Sequence, residues 1–118
     1  MTFLETILGE LLQVFKREGI EANSDEALIR KLDIRESTFD ELFLSREDMV
    51  KQVVLYDIEI NNRRQQALLA KASNPVEEIM VLLLDGIRTI REVNPIYIAD
   101  LNRYPEAWQL SIQNVIDN

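Results

Sequence analysis

Neither cysteine nor histidine occurs among the 118 residues of this chain. That excludes disulfides, thiolate or imidazole catalysis and the usual zinc sites. No metal site and no cofactor is therefore expected. Glycine is scarce as well. Gly9, Gly19 and Gly86 stand far apart, so there is no glycine-rich loop to cradle a phosphate. The longest apolar run, Ile79 to Leu84, has six residues and is far too short to span a bilayer. The first apolar segment is broken by Glu5 and Glu10 and lacks a basic leader, so it does not read as a signal peptide. The acidic pairs Asp40-Glu41 and Glu77-Glu78 are adjacent in sequence, hence about 100° apart on a helix, and share no catalytic face. No catalytic residue can be named. The expectation is a cytoplasmic, non-enzymatic protein with no membrane partner.

What the chain does have is helical periodicity and capping signals. Phe3, Leu4, Ile7, Leu8, Leu11, Leu12 and Phe15 lie along one helical stripe. Thr2 and Glu5 form a capping box ahead of it, and Gly19 ends it. Asn23, with Glu26 three residues on, is expected to cap a short second helix whose inner side is Ala27, Leu28 and Leu32. Asp33 comes next, in a tight connection. A third short helix carries Phe39, Leu42 and Phe43, and Ser45 with Asp48 caps a fourth. Met49, Val53, Tyr56 and Ile60 give that fourth helix an apolar seam, and it runs on through Leu68 and Leu69. Asn74-Pro75 starts a fifth helix, with proline at its first position. Ile79, Leu82, Leu83, Gly86, Ile87 and Ile90 mark it as the expected central helix of a second core. Asn94-Pro95 and Tyr104-Pro105 delimit two more helices, the last bearing Ala107, Trp108, Ile112 and Val115. The spacing predicts helices over 3–18, 24–31, 36–43, 46–72, 76–93, 96–102 and 105–116. Phe15, Leu28, Ile34, Phe39 and Phe43 are expected in one core.

At this point the chain resembles the N-terminal domain of TetR-family transcriptional regulators. The resemblance runs from Ile7 to about Met49. Ile7-Leu8, Phe15 and Gly19 match the family's opening pattern, and Asn23-Ser24 to Lys31 its capped second helix. Ile34 and the stretch Thr38-Phe39-Asp40 match the family's segment after the turn. The most specific piece is Phe43-Leu44-Ser45-Arg46-Glu47-Asp48-Met49. Asp100-Leu-Asn-Arg-Tyr-Pro-Glu-Ala-Trp108 is similar to a stretch in some members' C-terminal domains. The resemblance implies an all-α protein: a three-helix, helix-turn-helix DNA-binding domain over 1–45, then a helical effector and dimerisation region over 46–118. It implies DNA as partner, a homodimer and a small-molecule effector. Candidate DNA-contact residues are Asn23, Ser24, Arg35, Glu36, Ser37, Thr38, Asp40, Glu41 and Arg46. Candidate ligand-pocket residues are Met80, Tyr97, Tyr104 and Trp108. Family members are longer and dimerise through two further helices, so the sequence fits a short form or a fragment. Trp108, Leu110, Ile112 and Ile116 are expected as apolar surface.

The departures from the family pattern matter as much. Asp33 stands where the family has its turn glycine; aspartate tolerates positive φ better than most residues. Arg35 stands at a cap position usually held by serine. Glu36, Asp40 and Glu41 replace the lysine, tyrosine and histidine with which the family meets DNA. Residues 1–50 hold six basic and twelve acidic side chains, a net of −6 against −8 for the whole chain. Since DNA affinity rests largely on neutralising phosphates, this half opposes duplex DNA unless its basic groups cluster. Arg35, Arg46 and Lys51 are the expected basic rim, whereas Arg30 and Lys31 suit a helix C-terminus. Asn61-Asn62 and Arg63-Arg64 read as a solvated helix face. Two functions stay open: a TetR-like regulator, or a helix-turn-helix protein that lost DNA and binds another protein.

Overall fold

The computed structural model describes residues 2–117, and side chains as far as residue 114. Among the described residues every regular element is an α-helix: α1 (Phe3–Glu18), α2 (Asp25–Leu32), α3 (Glu36–Leu42), α4 (Arg46–Ala70), α5 (Pro75–Glu92), α6 (Pro95–Leu101) and α7 (Pro105–Asp117). The all-α expectation holds, with helix bounds within a residue or two of those read from the sequence.

The caps explain the bounds. Thr2 Oγ1 accepts from the Glu5 amide at 3.1 Å, and Ser45 Oγ accepts from the Asp48 amide at 3.1 Å. Asp48 reaches back to accept from the Leu44 amide at 3.0 Å. Asn74 and Asn94 cap α5 and α6 ahead of their prolines. One cap differs from expectation. Ser24, not Asn23, caps α2, its Oγ accepting from the Ala27 amide at 3.2 Å. The two neighbours both suit a cap. The side chain of Asn23 is instead buried, and its Nδ2 has no partner among the described residues. Asp33 closes α2 in the left-handed region, φ 54° and ψ 48°, a conformation that aspartate tolerates better than most residues. Arg35 supplies no side-chain cap to α3.

One hydrophobic cluster runs through the chain. α1 contributes Ile7, Leu8, Leu11, Leu12, Val14 and Phe15; α2 and α3 add Leu28, Leu32 and Phe39. The start of α4 adds Met49, Val50, Val53 and Val54, and Tyr97, Leu101, Tyr104 and Ala107 close it from the α6–α7 region. Side chains from both sides of residue 45 thus share a core. Phe15 stacks on Tyr97 with ring centroids 6.3 Å apart. Phe39 meets Phe43 edge to face at 5.2 Å. Ile34 is half-buried against the cluster, and Phe3 stands exposed at the first turn of α1.

α4, not α5, holds the central place, packing on α1, α5 and α7. The expectation that α5 centres a second core is overturned: its only buried residue is Asp85, while Ile79, Leu82, Leu83, Ile87 and Ile90 are exposed. The end of α4 and α5 project from the rest. They stretch the molecule to 50 × 29 × 22 Å and its radius of gyration to 15.7 Å, above the roughly 13 Å of a compact domain of this length.

Candidate functional site

Two surfaces stand out from the sequence, the α2–α3 unit and a pocket among the later helices. α3 comes after α2 across the turn at 33–35, and its apolar side is pinned to the core by Phe39. The remaining side faces solvent. Arg35, Glu36, Ser37, Asp40 and Glu41 are exposed and Thr38 half-exposed. None of these side chains has a hydrogen bond or ion pair among the described residues. The outward face of α3 therefore carries three carboxylates against one guanidinium.

The expected basic rim does not form. Arg46 turns inward and is consumed. Its Nε donates to Tyr104 Oη at 3.0 Å and Nη1 to Asp25 Oδ1 at 2.6 Å. Its Nη2 donates to the carbonyls of Ile20 at 2.6 Å and Asn23 at 2.7 Å. Burial works against the charge, but the bonds to Tyr104 and Asp25 outweigh it and raise the pKa above the ordinary arginine value. Lys51 pairs with Glu106 at 3.2 Å, and Lys31 with Glu18 at 2.9 Å. Arg64 is no solvated side chain either: Nε and Nη2 grip the two oxygens of Asp85 at 2.9 and 3.1 Å. Of the nine candidate contacts, Asn23 is buried and Arg46 is spent on the fold. Four of the five N–H donors of Arg46 are taken by its bonds to Tyr104, Asp25, Ile20 and Asn23.

A pocket of about 450 Å³, open on one side to solvent, lies between α1, α4, α5, α6 and α7. Tyr97 and Trp108 line it, with Val54, Ile58, Leu101 and Ile112 as apolar wall. Lys16 and Asp57, paired at 3.4 Å, put charge at one side. Asn61, Thr89, Ser111 and Asn114 supply polar atoms. Burial, and then the charge of Asp57, push the Tyr97 phenol well above its usual pKa, so it is a neutral group at physiological pH. Such a wall suits a mainly apolar molecule with one or two polar groups. Met80 and Tyr104 are not part of it. Met80 is 55 % exposed, and nine positions before Thr89 it lies about 180° away around α5. Tyr104 is buried elsewhere, donating to Glu21 Oε1 at 2.6 Å and accepting from Arg46. Burial and then the Glu21 bond raise its pKa, with Arg46 opposing. Val115 and Ile116 lie beyond the described side chains.

No sequence motif signals the link between the two surfaces. Asp100 of α6 is buried, and its Oδ2 accepts from the amides of Ile20 at 2.8 Å and Glu21 at 3.1 Å. The Asn94 amide donates to the Lys16 carbonyl at 2.8 Å, and its Nδ2 to that of Arg17 at 3.0 Å. Gly19, at φ 85°, makes room: a Cβ there would stand 2.7 Å from Asp100 Oδ2 and 2.8 Å from Ile96 Cγ2. The connection leading into α2 is thus clamped by the helix that carries the cavity residue Tyr97.

Among the described residues no group of acidic side chains is placed to hold a metal ion, and no helix is long and apolar enough to cross a membrane. No protein-family model matches the chain, and neither curated proteins nor solved structures give a match.

Proposed function

We propose that the chain acts as a TetR-like transcriptional regulator, with α2 and α3 as a helix-turn-helix and the cavity beside Tyr97 as the effector site. The observation that carries this is the α2–α3 unit itself. Two short helices meet through a left-handed residue at Asp33, and the second offers a solvent-facing side while Phe39 anchors it. That is what a helix needs to enter a groove. The clamp supports regulation: a ligand that displaces α6 at Tyr97 also moves Asp100, which holds the amides leading into α2. A palindromic operator further asks for a two-fold dimer.

The acidic face of α3 favours a second reading, a protein-interaction module that meets a basic partner. Titrating random-sequence duplex DNA at low and moderate salt separates the two. As a regulator, the protein binds weakly at low salt and loses affinity as salt rises. Replacing Glu36→Lys, Asp40→Tyr and Glu41→His should then strengthen binding and steepen the salt slope by about one unit for each phosphate gained. A folded triple variant with no affinity for any duplex at low salt would remove α3 from the DNA and leave the interaction module.

A further inference from the structure

α5 is built with its polar side inward. Asp85 faces α4, where Arg64 holds both carboxylate oxygens, and Val81 and Thr89, one turn either side, are half-buried with it. The other side carries Val76, Met80, Leu83, Ile87 and Ile90, spaced by four, three, four and three residues. Their exposures are 66, 55, 62, 41 and 77 %. This is a heptad seam sustained over the length of the helix, with Met80 and Ile87 at a and Val76, Leu83 and Ile90 at d. Asp85 then falls at f, opposite the seam. The seam accordingly points away from α4, and no described residue covers it.

We propose that this seam docks on the same seam of a second copy, the two α5 helices running antiparallel about a two-fold axis at Leu84. The flanking charges choose both the partner and the direction. The e row of the heptad reads Glu77, Leu84, Arg91. In an antiparallel pair e residues face e residues, so a two-fold at Leu84 sets Glu77 beside Arg91 of the second copy and repeats that pair at the other end. A parallel pair would turn the e row toward the g row, setting Arg91 beside Gly86 and leaving the charges of Glu77 and Arg91 without each other, and it would align the helix dipoles unfavourably. Arg91 has no ion pair among the described residues. Glu77 uses Oε2 to accept from the Ser73 amide and keeps Oε1 for a partner. On the g row, Ile79 extends the apolar face, and Gly86 has open space where a Cβ would stand, which allows close approach. An isologous interface sets one patch against itself, so the patch must be self-complementary, as this row is. The regulator reading asks for a dimer without naming a face. The pairing inferred here rests on α5 alone and holds whether or not α3 meets DNA.

Sedimentation velocity across a wide range of protein concentration tests it. The chain should pass from monomer to dimer. Leu83→Gln combined with Ile87→Gln should abolish the dimer while circular dichroism keeps its helical signal, since both side chains are exposed in the monomer. Glu77→Lys and Arg91→Glu should each weaken association on the order of tenfold, by turning two attractions into repulsions. An equimolar mixture of those two variants should regain the unmodified affinity as a heterodimer. Glu78→Lys, the same charge change at f, should have no effect. A monomer at every concentration, a dimer that survives the paired glutamine changes, or a mixture that regains nothing would each overturn the proposal.

Discussion

α1 and α5 have nearly the same length and equally marked apolar stripes, yet one faces inward and the other outward. The stripe of α1 is the heart of the core, with Leu11 and Phe15 wholly inaccessible. α5 carries eight of the fifteen large hydrophobic residues that stand exposed among the described residues, and its buried group is a carboxylate. Periodicity establishes that a helix has a face to bury; it does not say against what. The neighbours decide. α1 is held on several sides, by α2, α4 and α6, whereas α5 is held along α4, through Arg64 and Asp85.

The largest expected effect lies in α1. Phe15→Ala removes a ring packed on Tyr97 and should lower the unfolding free energy by about 3–5 kcal/mol, read from urea denaturation at low protein concentration. A loss under about 1 kcal/mol would mean that α1 is no more central than α5.

The two helices also differ at their glycines. Gly19→Ala, just past the end of α1, forces a Cβ against Asp100 and Ile96 at positive φ and should cost roughly 2 kcal/mol or more, with thermal unfolding as the readout. Gly86→Ala meets nothing within 4 Å and should stabilise the dilute protein by about 0.5–1 kcal/mol, because alanine is the better helix former. Equal signs for the two changes would undo the contrast.

Asp85 gives the comparison a pH dependence. The bonds from Arg64, opposed by burial and aided by Arg88, hold its carboxyl below the usual range. A lowered folded pKa contributes stability above the ordinary aspartate value of about 4, and that contribution is lost as pH falls through the folded value. Asp85→Asn should cost about 2 kcal/mol at neutral pH, less than a fully buried pair because Arg64 stays partly hydrated. It should also flatten the acid limb of stability below about pH 4. An unchanged acid limb would show that α5 is not held to α4 by this charge.

The smallest effect is expected at Leu83. In dilute protein Leu83→Ala should change stability by less than about 0.5 kcal/mol, although the same substitution at Leu11 deletes a core side chain. A cost of about 2 kcal/mol or more would place Leu83 in a core of the monomer.

Much of the fold was legible locally. Thr2, Ser45, Asn74 and Asn94 cap the helices that their spacing announced, and the left-handed Asp33 is in keeping with its place in the turn. Phe15, Leu28, Phe39 and Phe43 were legible as core from helical period alone. The choice of Ser24 over Asn23 as cap was not, because adjacent residues with equal capping chemistry are separated only by where the helix is tethered. The bonds from Asp100 to Ile20 and from Tyr104 to Glu21 span 80 and 83 residues, and no local pattern records such a meeting. That is why Arg46 and Tyr104, read from the sequence as surface and pocket groups, are instead ties between the two halves. Met80 was misplaced for the same reason as α5: the period marks its helix, but not the direction of its face.

Amide hydrogen exchange measured as a function of protein concentration puts both helices into one experiment. If the seam of α5 meets its counterpart on a second copy, exchange across residues 76–90 should slow on concentrating the protein, while residues 7–15 of α1 stay equally protected throughout. Exchange in α5 that is independent of concentration would contradict the outward seam as an interface.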